Sequence, residues 1–220
     1  MLPPRFFALT PGELAADEVD GFAALARTAF ESGLGGLMLR EPLLSEREFL
    51  RLARALVPLA RARGAWLCVH DRIHMALEVA ADAVHLGFRS LPPCAARPLL
   101  RAGMSLGIST HAGDARELWA DCDFRIHGPV FDTASKHGWK EAIGVQALRA
   151  CAQSSSVPVW AIGGIRPEHA TLLGTPTLGG ICARASVFER GDSAGDIARK
   201  LSAWNAALGA DSTQAGTRHR

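Results

Sequence analysis

The feature that most constrains the fold is a regular alternation of short apolar runs with helical segments along most of the chain. Eight runs of strand-forming residues recur, and the segments between them carry helical periodicity or helix-start signals. Several runs, such as AWLCV at residues 65–69, lack polar alternation, which is typical of parallel strands covered on both faces. The predicted strands are residues 6–9, 36–40, 66–70, 83–86, 105–109, 124–128, 159–162 and 180–183.

The clearest helix is predicted over residues 45–62. Phe49, Leu52 and Leu56 have the spacing that forms one buried stripe on a helix. At its start, Ser45 and Glu48 fit a capping box, in which each side chain bonds the other residue's backbone amide. A last helix is predicted over residues 194–208.

Eight strand–helix units predict an α/β protein with a single closed (β/α)8 barrel, the TIM barrel. An open, doubly wound sheet is the alternative, because a strand count does not prove closure. No internal repeat or composition break precedes residue 209, so one domain is predicted over residues 1–208. Residues 209–220 are predicted to be a disordered tail.

Composition excludes several classes of protein. Lys and Arg total 24 against 22 Asp and Glu, so no strongly basic face for nucleic acid is expected. No apolar run approaches the roughly 20 residues of a membrane helix, and no signal peptide pattern is visible, so we expect a cytoplasmic protein without a membrane partner. The five cysteines form no C-x-x-C pair, which argues against a disulfide framework or zinc ribbon.

In such a barrel, functional residues lie where strands end and the following loops begin. Gly163 and Gly164 follow the seventh strand, and their backbone amides could approach a phosphate; the alternative is a simple tight turn. Ala185 and Ser186 follow the eighth strand at the usual phosphate position of barrels. Ser186 could equally be an ordinary helix cap.

Five motifs in order resemble one known family, the thiamine-phosphate synthase/TenI superfamily. The resemblance covers roughly residues 34–190. It implies a barrel whose rim binds a small phosphorylated thiazole, and it leaves a homo-oligomer open. The motifs are LMLREP (37–42), HDRIHMALEVAADAVHLG (70–87), GISTHAGDARELWADCDF (107–124), GPVFDTASK (128–136) and AIGGI (161–165).

The resemblance implies one of two thiamin-biosynthesis activities. Synthases join a pyrimidine pyrophosphate to the thiazole phosphate with Mg²⁺ and release pyrophosphate. TenI-type tautomerases move a proton on a carboxylated thiazole phosphate and need no metal or other cofactor. A non-catalytic sensor of thiazole or thiamin phosphate is a third hypothesis.

This sequence departs from the synthase pattern at two positions. Pro42 replaces a lysine of the strand-two motif, and Ser90 replaces one of two metal-binding aspartates. Asp71 keeps the other aspartate and would bind Mg²⁺ in a synthase; as an alternative it could cap the following helix. The tautomerase motif also departs, because Pro129 replaces its histidine. We therefore expect His127, two residues earlier, to face the barrel interior as the acid–base group, or else to be a core histidine.

The other candidates could bind anions or position substrate. Arg40 and Lys136 are predicted to contact phosphate or carboxylate groups, with a solvated charge as the alternative for Lys136. Glu41 is expected to pair with Arg40 or to act as a base. Residues 132–143 suit a mobile lid. Taken together, the sequence places a tautomerase first and a synthase second; the further substrate-binding candidates are Thr133, Ser135, Ser109 and His70.

Overall fold

The eight predicted strands close into one barrel. The structure, a computed structural model, describes residues 1–132, 141–174 and 177–215. Each strand pairs in parallel with the next, and the last pairs with the first, so the closed barrel is confirmed and the open sheet is excluded. The strands are β1 (Phe6–Leu9), β2 (Gly36–Leu39), β3 (Trp66–His70), β4 (Ala83–Leu86), β5 (Ser105–Thr110), β6 (Phe124–His127), β7 (Val159–Ala161) and β8 (Leu178–Ala183).

Helices occupy the segments between most of the strands. They are α1 (Val19–Glu31), α2 (Glu46–Ala62), α3 (Ile73–Glu78), α4 (Pro93–Ala96), α5 (Gly144–Ser154) and α6 (Ala194–Ala215), with 3₁₀ turns at Ala16–Glu18, Arg97–Leu99, Arg116–Trp119 and Pro167–Gly174. No helix in the described ranges has the length and apolar content that would span a bilayer.

The two predicted helix boundaries have different outcomes. The capping box of α2 is present: the Ser45 amide donates to the Glu48 carboxylate at 3.0 Å, and the Glu48 amide donates to the Ser45 hydroxyl at 3.3 Å. At the other end of the chain, α6 continues to Ala215 instead of ending near 208. Residues 209–215 are therefore helical where a tail was expected, and residues 216–220 lie outside the described part.

Side chains of the strands alternate between the barrel interior and the layer of helices. Four aromatic rings fill the lower interior: the rings of Phe7 and Trp66, Trp66 and Phe124, and Phe124 and Trp160 have centroids 5.1, 6.0 and 5.6 Å apart. Side chains at the alternate positions of each strand, such as Leu67, point outward and pack in a separate cluster with the helices. Whether a residue occupies an odd or an even position along its strand, which we call its parity, therefore decides whether its side chain can reach the mouth of the barrel.

Gly107 gives a test of this packed interior. A Cβ at Gly107 would overlap the Phe124 ring, so Gly107→Ala is expected to destabilise the protein by about 1–3 kcal/mol through overpacking. Gly21→Ala is the matched control, because nothing lies near its added methyl group within α1 and alanine favours helix by up to about 1 kcal/mol. Urea unfolding measures both changes. Equal stability of the two variants would contradict the packing described above.

Candidate functional site at the barrel mouth

Four polar side chains sit at inward-facing positions where strands end. Met38, Cys68 and Cys182 belong to the interior cluster, so the residues two positions later on β2, β3 and β8 face the same way. Gly107 faces the interior on β5, and Ser109 follows it with the same parity. The barrel mouth is therefore lined by Arg40, His70, Ser109 and Arg184.

Arg40 is half-buried at this mouth. Its backbone amide donates to the Thr10 hydroxyl at 2.9 Å, which ties the end of β2 to the end of β1. Burial lowers the pKa of the Arg40 guanidinium, and the nearby positive charge of Arg184 lowers it further, while Glu41 opposes both. Arg184 in turn donates from Nη1 to the Pro11 carbonyl at 3.3 Å. The sequence analysis did not select Arg184 as a site residue.

Glu41 plays neither of the roles expected from the sequence. Its carboxylate is 1% exposed and accepts hydrogen bonds from the backbone amides of Gly12 at 2.8 Å and Leu14 at 2.9 Å. Among the described residues it forms no ion pair with Arg40. Two amide donors satisfy the buried charge, so Glu41 holds the loop after β1 against β2.

His70 lies above a second histidine in the interior. The rings of His70 and His85 have centroids 5.5 Å apart, and His85 in turn lies 6.1 Å from Phe124. Burial lowers the pKa of His70 to about 4, with a contribution from the Arg40 charge, whereas the Asp71 charge raises it. His70 is therefore neutral near pH 7 and can accept or donate one hydrogen bond to a ligand.

The glycine pair after β7 forms both the turn and a set of free donors. Gly163 and Gly164 have φ values of +102° and +62°, and a Cβ on them would lie 2.5 Å from Pro129 and 2.6 Å from the Asp132 carbonyl oxygen. Only glycine fits there, so the pair makes a tight turn. The backbone amides of Gly163 and Gly164 donate to no described residue, which leaves them available to an anion.

Ser186 connects this turn to the segment after β8. Its hydroxyl donates to the Ile165 carbonyl at 2.9 Å instead of capping a helix. No described residue accepts from the backbone amides of Ala185 and Ser186. We define the four residues whose amides donate to no described residue, Gly163, Gly164, Ala185 and Ser186, as the amide cradle.

Asp71, the predicted metal ligand, follows β3, and Ser90, which replaces the second aspartate, lies in the loop after β4. Asp71 has a left-handed φ of +67° and is exposed, and its carboxylate, unlike its backbone carbonyl, accepts no hydrogen bond from a described residue. Helix α3 begins at Ile73 after Arg72, without a side-chain cap, so Asp71 is not a cap. The Ser90 hydroxyl accepts from the Gly87 amide at 2.7 Å, and a Cβ at Gly87 would lie 3.2 Å from His70 Nε2.

The Asp71 carboxylate and the Ser90 hydroxyl fit a Mg²⁺ ion that is bound mostly by substrate phosphates and water. In the part of the chain that the structure describes, no three His, Cys, Asp or Glu side chains could together hold a metal. Mg²⁺ usually keeps waters and binds one or two carboxylates plus substrate phosphates. The free carboxylate of Asp71 meets that requirement, and the neutral Ser90 hydroxyl adds no charge.

His127 does not face the barrel interior, and that prediction is wrong. Phe124 and Ile126 fill the interior, while Arg125 turns outward and lies 4.0 Å over the Trp119 ring. His127 shares the outward parity, and its Nδ1 lies 2.9 Å from the Thr110 hydroxyl. The sequence argument assumed the wrong side of the strand for His127, and the alternation it extended to position 129 runs beyond the end of β6 at His127.

The remaining candidates cannot be placed. Thr133, Ser135 and Lys136 lie outside the described residues, as does most of the proposed lid at 132–143. The described part of the site is therefore the mouth, the amide cradle and the Asp71–Ser90 edge.

These features define the class of protein: a (β/α)8 barrel whose mouth carries guanidinium groups and backbone amides that donate to no described residue. A sequence model of the thiamine monophosphate synthase family, TMP-TENI, matches residues 9–187. The chain belongs to this family, as the sequence motifs indicated.

Individual relatives agree with the family assignment. The chain is 33% identical to a thiamine-phosphate synthase of Laribacter hongkongensis over 184 residues, which cover 83% of this chain and 87% of that protein. It is 37% identical to a thiamine-phosphate synthase of Chlorobium luteolum over 178 residues, or 80% and 83% of the two chains. In fold, it matches a thiamine phosphate pyrophosphorylase from Pyrococcus furiosus with a TM-score of 0.78, 24% identity, and coverage of 94% and 96%.

The pKa of His127 gives a second prediction. Burial, with the charges of Arg125 and His111, lowers this pKa from 6.5 to about 4. The unfolded chain therefore binds a proton between these pH values, and the contribution of neutral His127 to folding stability, complete above pH 6.5, is lost as the pH falls towards 4. The free energy of unfolding should drop more between pH 7 and 4.5 in the wild type than in His127→Gln.

His74→Gln is the control for that measurement, because it removes an exposed imidazole. An NMR titration of His127 checks the pKa directly. A titration midpoint of His127 near pH 6.5 would contradict the burial of its side chain.

Proposed function

We propose that this protein is a thiamine-phosphate synthase. The reaction breaks the bond between the pyrimidine methylene carbon and pyrophosphate, whose oxygen takes the electron pair, and the thiazole nitrogen then bonds to that carbon. The products are thiamin phosphate and pyrophosphate. The relatives that carry this name at 33–37% identity support a synthase over the tautomerase that the sequence alone placed first.

The observation that carries the proposal is that two kinds of hydrogen-bond donor, each suited to an anion, lie at different points of the mouth. The amide cradle lies on the β7 and β8 side, and the Arg40 guanidinium lies at the end of β2. A synthase must bind two phosphorylated substrates, whereas a tautomerase binds one. The outward position of His127 also removes the main support for proton transfer at that residue.

Each part of the mouth has a role in this proposal. The cradle amides would hold the thiazole phosphate and orient its nitrogen towards the pyrimidine carbon. Arg40 would bind the pyrophosphate group, and its charge would stabilise the negative charge that develops as this group leaves. His70 is neutral near pH 7 and would contribute a hydrogen bond without adding charge.

Asp71 would hold Mg²⁺ together with the pyrophosphate oxygens. When bound, Mg²⁺ neutralises charge on the leaving pyrophosphate. The Ser90 hydroxyl accepts from the Gly87 amide and would position the loop after β4. It would not replace the metal-binding carboxylate of the aspartate found at this position in the synthase pattern. This arrangement predicts a metal requirement that depends on one protein carboxylate.

The primary test supplies the pyrimidine pyrophosphate and the thiazole phosphate with and without Mg²⁺. Mg²⁺-dependent release of pyrophosphate, with thiamin phosphate formed in equal amount, is the expected result. Binding of thiazole phosphate without any release would reject the synthase; tautomerisation of the carboxylated thiazole phosphate would then identify a tautomerase, and no turnover in either assay a sensor.

Asp71→Asn tests the metal carboxylate without disturbing the backbone. Asparagine tolerates the left-handed φ of this position, so the variant should fold normally. It should lose at least about tenfold in synthesis at low Mg²⁺, because one charged ligand is removed, while thiazole phosphate still binds. Asp17→Asn, which neutralises another exposed aspartate, is the matched control. Unchanged synthesis in Asp71→Asn over a Mg²⁺ titration would rule out this role.

A further inference from the structure

Arg40 and Arg184 place two positive charges side by side at the mouth. Neither guanidinium lies within ion-pair distance of a carboxylate of the described residues. Glu41, the acidic residue nearest in sequence, already accepts two backbone amides. Two guanidinium charges thus face one buried carboxylate, whose charge offsets that of Arg40 only in part and pairs with neither group among the described residues.

The fold holds the two arginines together instead of separating them. Arg184 donates to the Pro11 carbonyl, and a Cβ built on Gly12 would lie 3.0 Å from Arg40 Nη1 and 3.9 Å from Arg184 Nη1. Both guanidinium groups thus lie against the same glycine of the loop after β1. Like charges that are held close in a partly buried site repel each other, and an anion that binds to both relieves this repulsion.

The chemistry of the two groups indicates which anion fits. A guanidinium is a planar fork that donates two parallel hydrogen bonds to phosphate oxygens. Pyrophosphate has oxygens on two phosphorus atoms, so it can accept from both forks at once. A monophosphate offers fewer oxygens for two forks and fits the amide cradle better.

We propose that Arg184 is a second pyrophosphate-binding residue, which acts together with Arg40 on the pyrophosphate group of the pyrimidine substrate. This inference rests on the proposed synthase function for the identity of that substrate. Pro42, in the loop after β2, replaces the lysine of the synthase pattern and carries no charge. In this proposal Arg184, which directly follows β8, supplies the second positive charge instead.

The position of Arg184 also brings the two substrates together. Arg184 immediately precedes Ala185 and Ser186 of the amide cradle. A pyrophosphate bound by Arg184 would therefore lie in the same mouth as the thiazole phosphate, so that the thiazole nitrogen and the pyrimidine methylene carbon, which form the new bond, share one site.

The test measures binding of inorganic pyrophosphate by calorimetry in the absence of metal. Arg184→Met keeps a long side chain and removes the charge, and it should weaken pyrophosphate binding about tenfold or more, because charge-assisted hydrogen bonds are lost. Arg184→Lys keeps the charge without the fork and should bind with intermediate affinity. Arg61→Met is the matched control: Arg61 ends α2 on the opposite side of the barrel from the mouth, and its variant should bind like wild type.

Steady-state kinetics of the same variants add a second readout. Arg184→Met should raise the KM for the pyrimidine pyrophosphate and leave the KM for the thiazole phosphate within about twofold, a pattern that a general loss of structure would not produce. Thermal unfolding of each variant checks that it is folded. If Arg184→Met does not fold, Arg184→Lys is compared with the wild type in its place.

Failure of the inference and failure of the proposed function give different results. Unchanged pyrophosphate affinity in folded Arg184 variants, or no pyrophosphate binding to wild type, overturns the role of Arg184 even when synthesis is observed. Weaker pyrophosphate binding in these variants, in a protein without synthase activity, supports the two-arginine site and rejects the synthase.

Discussion

The pairing of β1 with β8 is the constraint on which the mouth of the barrel depends. The register Phe6↔Ile181 and Ala8↔Ala183 brings the first and last strands side by side. The loop after β1 therefore lies between the ends of β2 and β8, and it contacts Arg40 on one side and Arg184 on the other. Without this closure, residues 144 positions apart in sequence could not share one anion.

A buried carboxylate stabilises this junction. Glu41 accepts two amides of the loop after β1, and two good hydrogen bonds compensate for removing its charge from water. The loop is thereby fixed in the position where Gly12 leaves room for both guanidinium groups. A catalytic or ion-pairing carboxylate would need at least one free oxygen facing the mouth. The structure instead uses Glu41 to hold the backbone.

Much of the site could be predicted because it depends on strand ends, which a sequence reveals well. The ends of β2, β3 and β8 were predicted within one residue, and so Arg40, His70 and Ser186 were placed on the correct rim. The face of a side chain was harder to predict. His127 was assigned to the interior, although the Phe124 and Ile126 side chains already fill the interior side of β6. All four residues of β6 are buried, two in the interior and two under the outer layer, so burial alone does not distinguish the two faces.

The sequence by itself determined the order of strands and helices and the family, because each depends on local patterns: strand–helix alternation and ordered motifs. Only the tertiary structure decided which polar groups meet. The meeting of the two cradle loops, the outward turn of His127 and the closeness of Arg40 to Arg184 arise from strands that are distant in sequence. The physical reason is that barrel closure and strand parity place side chains in three dimensions, and neither the closure nor the buried parity is encoded in a single segment.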